Sequence, residues 1–337
     1  MKSAKPSAVV EVTRGPFVES RHSVDIVVAD AEGGLVSVFG SADLPVFPRS
    51  AVKALQAIPL IESGAADAFA YEPRHLALAC ASHYGEEIHV RTASEMLEKI
   101  DLDQTCLECG KQLPALEADR EKLARRGRQA ECIHNNCSGK HSGFLALAKH
   151  EGLPIEGYVR FDHPVQGRIA ALMREVTGEK HNSENYGIDG CSIPTYSIPL
   201  QSLAVAFARF GVAANDDKAR ASTMKRIQDA CFAHPELVGG TGACDSEIMA
   251  AMPGQVFLKN GAEGVHVAAL PRLGIGIALK AHDGAGRAAE VAIASMIGSL
   301  LELDENATSV LKRFANQQMH NRNEIRVGEI KMASLED

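Results

Sequence analysis

The segment Phe47-Pro48-Arg49-Ser50-Ala51-Val52-Lys53 places a serine one helical turn before a lysine. Side chains three apart on a helix share a face. A neutral Lys53 beside Ser50 can take the serine proton, which is the chemistry of an acyl-transfer hydrolase with a lysine base. Ser-x-x-Lys occurs three times, at Ser50/Lys53, Ser222/Lys225 and Ser309/Lys312. Context favours the first copy. Pro48 suits a helix start, and Val52, Leu55 and Ile58 follow at helical spacing. A serine on a first turn faces unpaired backbone N–H groups and the positive end of the helix dipole, which favour a developing negative charge. The other two copies sit among charged or polar residues and read as solvated helix faces.

A second segment, Cys132-Ile133-His134-Asn135-Asn136-Cys137-Ser138-Gly139-Lys140-His141, gathers two thiols, two imidazoles, two amides and a lysine. Spacing alone selects Cys132, His134, Cys137 and His141 as zinc ligands. Cys137 with one of His134, Lys140 or His141 and a remote cysteine is the alternative. Asp189-Gly190-Cys191 offers that partner, with Asp189 as an outer acceptor. Two further clusters carry chemistry. Ala81-Ser82-His83-Tyr84-Gly85 follows an apolar stretch, and Ser82 reads as a reacting hydroxyl or as the N-cap of a helix from Glu87. Lys259-Asn260-Gly261-Ala262-Glu263-Gly264 reads as a hairpin turn at Asn260-Gly261. It equally supplies Lys259 as a second cation that helps keep another lysine neutral and holds a substrate carboxylate. Cys106-Leu107-Glu108-Cys109 is a lone Cys-x-x-Cys without a surrounding βαβ pattern, a weak redox signal.

These residues need a scaffold, and 337 residues suffice for one large domain or two modest ones. A net charge of −8, 5% aromatics and no tryptophan argue against nucleic-acid binding. Arg125-Arg126-Gly127-Arg128 reads as an exposed helix end. No apolar run reaches the ~18–20 residues of a membrane span. Met1 to Val10 lacks the apolar core of a secretory signal, so a cytoplasmic location is expected. The eight cysteines then read as thiols, metal ligands or redox centres, not a disulfide framework.

Short β-branched runs at Val9–Val12, Ser23–Ala29 and Leu35–Phe39 predict strands, with a hairpin at Gly33-Gly34. Helical patterns follow at Ala51–Ser63, Glu87–Ile100, Leu116–Gly127, Ser142–His150, Pro164–Thr177, Ser197–Phe210 and Asp217–Ala233. Strand signals return at Gln255–Lys259, Val265–Ala269 and Gly274–Lys280. An apolar helix follows at Ala285–Leu303, and Asn323–Lys331 adds an edge strand. The expected class is α/β in the α+β sense. Residues 1–49 and 236–337 form a lobe around a mainly antiparallel sheet with packed helices. Residues 50–235 form a mainly helical lobe carrying Ser-x-x-Lys and the metal site, and the cleft between the lobes is the natural ligand site.

At Phe47–Lys53, Cys80–Gly85, Cys132–Phe144, Asp189–Pro199 and Lys259–Gly264 the chain resembles the rhizobial-type L-asparaginases. This zinc-containing family is related in fold to serine β-lactamases and glutaminases. The resemblance implies two serine–lysine tandems, Ser50 with Lys53 and Ser82 with Lys259. It implies Zn2+ on Cys137, Lys140 and Cys191, in place of the set chosen by spacing. Arg49, His83 and Asp189 are implied at the substrate site, with Asp189 also close to the metal. It further implies a homodimer that hydrolyses L-asparagine to L-aspartate and ammonia. Two other classes share these residues: another Ser–Lys acyl hydrolase of β-lactamase or peptidase type, and a non-catalytic zinc or thiol sensor.

Overall fold

The computed structural model describes residues 5–213 and 219–333. In chain order the strands are β1 (Ala8–Arg14), β2 (Phe17–Asp30), β3 (Leu35–Phe39), β4 (Pro45–Val46), β5 (Tyr186–Ile188), β6 (Pro194–Tyr196), β7 (Ile198–Pro199), β8 (Phe257–Gly261), β9 (Val265–Leu270), β10 (Ile275–Ala281), β11 (Asn316–His320) and β12 (Arg326–Met332). The helices begin with α1 (Lys53–Gln56), α2 (Ile58–Glu62), α3 (Ala65–Ala68), α4 (Pro73–Ala79), α5 (Glu87–Glu98), α6 (Glu117–Arg125) and α7 (Ser138–Glu151). They continue with α8 (Pro164–Thr177), α9 (Leu200–Val212), α10 (Ala219–Ala233), α11 (Pro235–Val238), α12 (Cys244–Ala251), α13 (Gly286–Leu300) and α14 (Glu305–Ala315). No helix among the described residues is long and apolar enough to cross a membrane.

The chain divides into two compact units. The first takes the described residues of Met1–Ala51, Ile198–Val212 and Ala251–Asp337. Its sheet runs β11-β12-β1-β2-β10-β9-β8, with β3 also pairing β2, and every pairing is antiparallel. The N- and C-terminal strands therefore share one sheet, as their patterning predicts. β9 is buried at every position, which requires cover on both faces. α9 and α13 both pack on β9 and β10. At the α9 contact Phe207 and Phe210 meet Phe257 of β8.

The second unit takes Val52–Ser197 and the described part of Ala213–Ala250. It is helical apart from the β5–β6 hairpin. At its centre lies α7, buried from Ser138 through Ala148. A helix apolar or buried all round belongs in an interior, and α2, α3, α4, α5 and α8 pack around this one.

Several expectations shift for physical reasons. The helix expected over Ala51–Ser63 breaks into a 3-10 turn at Arg49–Val52, then α1 and α2. Pro59 near the start of α2 lacks an N–H and cannot sit inside a continuous helix. The helix expected from Ser142 starts four residues earlier, at Ser138, because burial outweighs the weak propensities of Ser138 and Gly139. Asn260 and Gly261 are not the turn. They pair with His266 and Val265, and Glu263 and Gly264 turn the chain at φ +58° and +68°. Asn323–Lys331 maps to β12, an interior strand, because the polar segment Asn316–His320 forms the edge strand β11. The expected helix Asp217–Ala233 is α10 from Ala219, its first two residues lying outside the described ones. α9 belongs to the sheet unit and the described residues of Ala213–Ala250 to the helical unit, so the boundaries at 49/50 and 235/236 differ from the compact units. The reason is apolar: Leu203, Phe207 and Phe210 of α9 are fully buried, with α9 against β2, β9 and β10.

One close approach positions the chemistry. A Cβ at Gly139 would lie 2.3 Å from the Leu78 carbonyl oxygen, so only glycine lets the start of α7 lie against the end of α4. Gly139→Ala should destabilise by about 1–3 kcal/mol through overpacking, read as a lowered denaturant midpoint with unchanged slope. An unconstrained helical site would instead gain roughly 0.5–1 kcal/mol, and that gain would refute the contact.

Candidate active site

Lys53 opens α1 with its side chain wholly buried, at 0% exposure. Its Nζ lies 2.5 Å from Ala81 O, 3.1 Å from Ser82 Oγ and 3.3 Å from Asn136 O. As an ammonium it donates to all three oxygens. As a neutral amine it can donate to the two carbonyls and turn its lone pair to the Ser82 hydroxyl, the arrangement a general base requires. Ser82 is half-buried, so its oxygen is reachable while the lysine is not. α4 delivers it. Pro73 and a Glu72/His75 capping box start that helix, and the chain then leaves it at Cys80. The Ser82 N–H is held by Val238 O and the His83 N–H by Asn136 O. Ser82 is not the cap of α5. Glu86 fills that role in a capping box with His89.

His83 is buried, and burial, then His89, Lys53 and His134, push its pKa well below the ordinary histidine value. The neutral ring accepts at Nδ1 from the Gly85 N–H, which leaves the proton on Nε2 to donate to Ser138 Oγ at 2.9 Å. Its ring stacks on His89 at 4.9 Å between centroids. His83 thus braces the Ser82 segment onto the first residue of α7.

Cys137 caps α7 and Lys140 follows one turn in, so both share a face beside the helix N-terminus. The β5–β6 hairpin brings in Cys191 through a turn closed by Asp189 N–H to Ile193 O, with Ser192 at φ +77°. Lys140 Nζ lies 3.0 Å from Cys191 Sγ. The Cys191 thiol bonded to Cys137 lowers the Cys137 pKa far below the usual thiol range, against burial, and Lys53 and Lys140 add to the effect. The same sulfur contact and burial raise Cys191. Burial opposes the Lys140 charge, but Cys191, Cys137 and Asp189 outweigh it and raise its pKa. Cys137, Lys140 and Cys191 therefore converge, with the Cys137 pKa lowered and those of Cys191 and Lys140 raised.

The quartet chosen by spacing does not assemble. Among the described residues no group of three His, Cys, Asp or Glu side chains is placed to hold a metal. His134 turns Nδ1 back to the Glu131 N–H, and His141 Nδ1 meets the buried Tyr158 hydroxyl at 2.7 Å. Tyr158 Oη also accepts from the Glu108 N–H. Sequence reading missed Tyr158 and the carbonyls of Ala81 and Asn136, since backbone acceptors leave no residue signature.

The remaining candidates lie in the sheet unit. Arg49 and Ser50 occupy the 3-10 turn, Arg49 at φ +51°, a left-handed conformation costly for a side-chain-bearing residue. A Cβ at Gly261 would lie 2.4 Å from Pro48 O, so the end of β8 abuts that turn. Lys259, two residues earlier on β8, is wholly buried and bonds Asn260 O and Oδ1. Each unit thus carries one serine and one lysine, with the unit boundary between Ala51 and Val52. The other two Ser-x-x-Lys copies are exposed on α10 and α14, with Lys225 paired to Asp229.

No curated protein matches the chain. Among solved structures it is similar to a LovD6 mutant of simvastatin synthase (LovD) from Aspergillus terreus, at 11% identity and TM-score 0.40, over 86% of this chain and 90% of that one. It is also similar to Mglu in its native form, at 14% identity and TM-score 0.35, over 86% of this chain and 60% of that one. The L-asparaginase II family profile matches residues 10–332. The match spans both units, and the chain belongs to the L-asparaginase II family of amidohydrolases.

Proposed function

We propose that this protein hydrolyses L-asparagine to L-aspartate and ammonia by serine acyl transfer with a lysine base. The observation that carries this reading is the buried Lys53 amine with a hydroxyl and two carbonyls as its partners. Ser50 attacks the side-chain amide carbon and passes its proton to Lys53, one helical turn on. Its N–H makes no hydrogen bond among the described residues and can donate to the oxyanion, whereas the Ser82 N–H is engaged. Lys53 then returns the proton to the leaving nitrogen, ammonia departs, and water resolves the acyl-enzyme. Ser82 relays protons through its bond to Lys53, and Lys259 completes the second tandem. Arg49 and Asp189 orient substrate, whereas His83, expected beside them, is buried with both ring nitrogens engaged and acts by holding the Ser82 segment in place. A homodimer belongs to the same reading, on the resemblance alone, and a cytoplasmic location on the N-terminal segment's lack of an apolar signal core.

Ammonia release should be faster from L-asparagine than from L-glutamine. Ser50→Ala should cost at least about 10³-fold, with Ser82→Ala costing about 10²-fold. Turnover of neither amide by folded, metal-loaded protein would remove the asparaginase reading. A near-normal Ser50→Ala beside a dead Ser82→Ala would move the nucleophile to Ser82.

Zn2+ belongs to this proposal. Two sulfurs and an amine that already converge match its preference for nitrogen and sulfur donors, with Asp189 close enough to act on Lys140. Bound there, it would supply a positive centre that fixes the Asp189–Cys191 turn to α7. Binding must displace protons from Cys191 and Lys140, both raised in pKa, so affinity should fall as pH drops. Competition with a coloured chelator should show a slope approaching two protons between about pH 8 and pH 6, and a flat profile would exclude Lys140 as a ligand. Chelation should lower turnover without abolishing it. Complete loss with an intact fold would contradict the positioning role.

A further inference from the structure

Gln56 ends α1 three residues after Lys53, so the two side chains share one face of that helix. Gln56 is only 7% exposed, and its Oε1 is buried with no hydrogen-bond partner among the described residues. An unbonded amide oxygen in an interior carries a desolvation cost that native structures seldom leave uncancelled. Gln56 borders a cavity of about 10 Å³, room for a single water. Apart from Gln56 and Lys140 the wall is apolar, with Leu60, Ala79, Phe144 and Leu147 in it. Gly143 leaves the space unfilled, since a Cβ there would lie 3.3 Å from Leu60 Cδ2 and 3.6 Å from Ala79 Cβ. Lys140 is 3% exposed, and its Nζ lies 3.0 Å from Cys191 Sγ and 5.8 Å from the ring centre of Phe144. The second distance sets the amine beside the cavity wall. Cys191 takes one N–H, whereas an ammonium has three and a neutral amine two. A wholly apolar cavity stays dry, but this one has an unbonded acceptor and an amine on its wall. Oε1 does not bond Lys140 directly, so something must bridge them, and the volume admits water and nothing larger.

We propose that this cavity holds one ordered water, which accepts an N–H from Lys140 and donates to Gln56 Oε1, and that Gln56 is thereby a positioning residue for the Lys140 amine. The bridge ties α1, which carries Lys53, to α7, which carries Lys140. An amine free to spin about its last side-chain bond has no fixed direction. With one N–H held by the water, Nζ is fixed with another position directed at Cys191. The bridge rests on the unbonded oxygen and the cavity alone. That it also turns the nitrogen lone pair toward Zn2+ rests on the metal role proposed for Lys140.

A crystal structure of the wild-type full chain and a double-mutant cycle on Gln56→Met and Lys140→Met test this. Density should show one water within hydrogen-bond reach of both Gln56 Oε1 and Lys140 Nζ. With chelator present throughout, the denaturant midpoints of the four proteins should be non-additive. Gln56→Met alone should lower the midpoint, because the water loses its acceptor. In the Lys140→Met background the same change should raise it, because methionine then replaces an oxygen whose bridge is already gone. Zn2+ affinity, read by competition with a coloured chelator, should fall about tenfold or more in Gln56→Met. It should fall no further from Lys140→Met to the double variant. A dry cavity, or a midpoint shift that is equal in both backgrounds, would overturn the bridge. Unchanged Zn2+ affinity in Gln56→Met, beside a loss in Lys140→Met, would overturn the positioning role. No Zn2+ uptake by wild type would remove the metal role, with the bridge still decided by the water and the midpoints.

Discussion

A wholly buried lysine is the constraint from which the helical unit follows. Transferring an amine from water to an interior costs several kcal/mol unless its hydrogen bonds are replaced. Lys53 has 0% exposure, and its replacements are Ala81 O, Ser82 Oγ and Asn136 O. Two of the three are backbone groups, so two chain segments must arrive at one point. The first follows the end of α4, and the second precedes the start of α7. Gly139, too close to Leu78 O to admit a Cβ, is what lets these helix ends meet. The same packing that satisfies the lysine also places a hydroxyl beside it.

The sulfur cluster follows from the same geometry. Cys137 lies one residue beyond the Asn136 carbonyl, and Lys53 contributes to lowering its pKa. Lys140 is carried in on the next helical turn, and the β5–β6 hairpin adds Cys191. Two lysines act on the Cys137 sulfur, and Asp189 and the two sulfurs act on Lys140. This links the two chemistries in the unit. Lys53 is thus one of the charges that act on Cys137.

Much of this was legible in the residues, for reasons of period and composition. The sheet could be read because β-branched runs with turn residues between them have few other uses, and β3 and α8 fall on the expected residues. The buried copy of Ser-x-x-Lys was separable from the exposed copies by its apolar neighbours. What escaped was tertiary. Spacing within one segment pointed to Cys132, His134, Cys137 and His141, but His134 and His141 turn to Glu131 N–H and Tyr158. Cys191, on a hairpin some fifty residues on, was offered only as the alternative remote partner, and the resemblance is what preferred it to the spacing-based quartet. The Asn-Gly pair misled because β8 continues through it, and the start of α7 was hidden by residues that form helix only when buried. The partnership of Lys53 with Ser82 was likewise invisible, since it depends on where α4 stops.

The central claim is that Lys53 is the base, and Lys53→Met tests it most directly, because methionine fills the same buried space without an amine. Ammonia release from L-asparagine should fall by about 10³-fold or more while the variant remains folded by circular dichroism and its thermal melt. A folded Lys53→Met that retains turnover within about tenfold of wild type would contradict lysine-driven acyl transfer at this site.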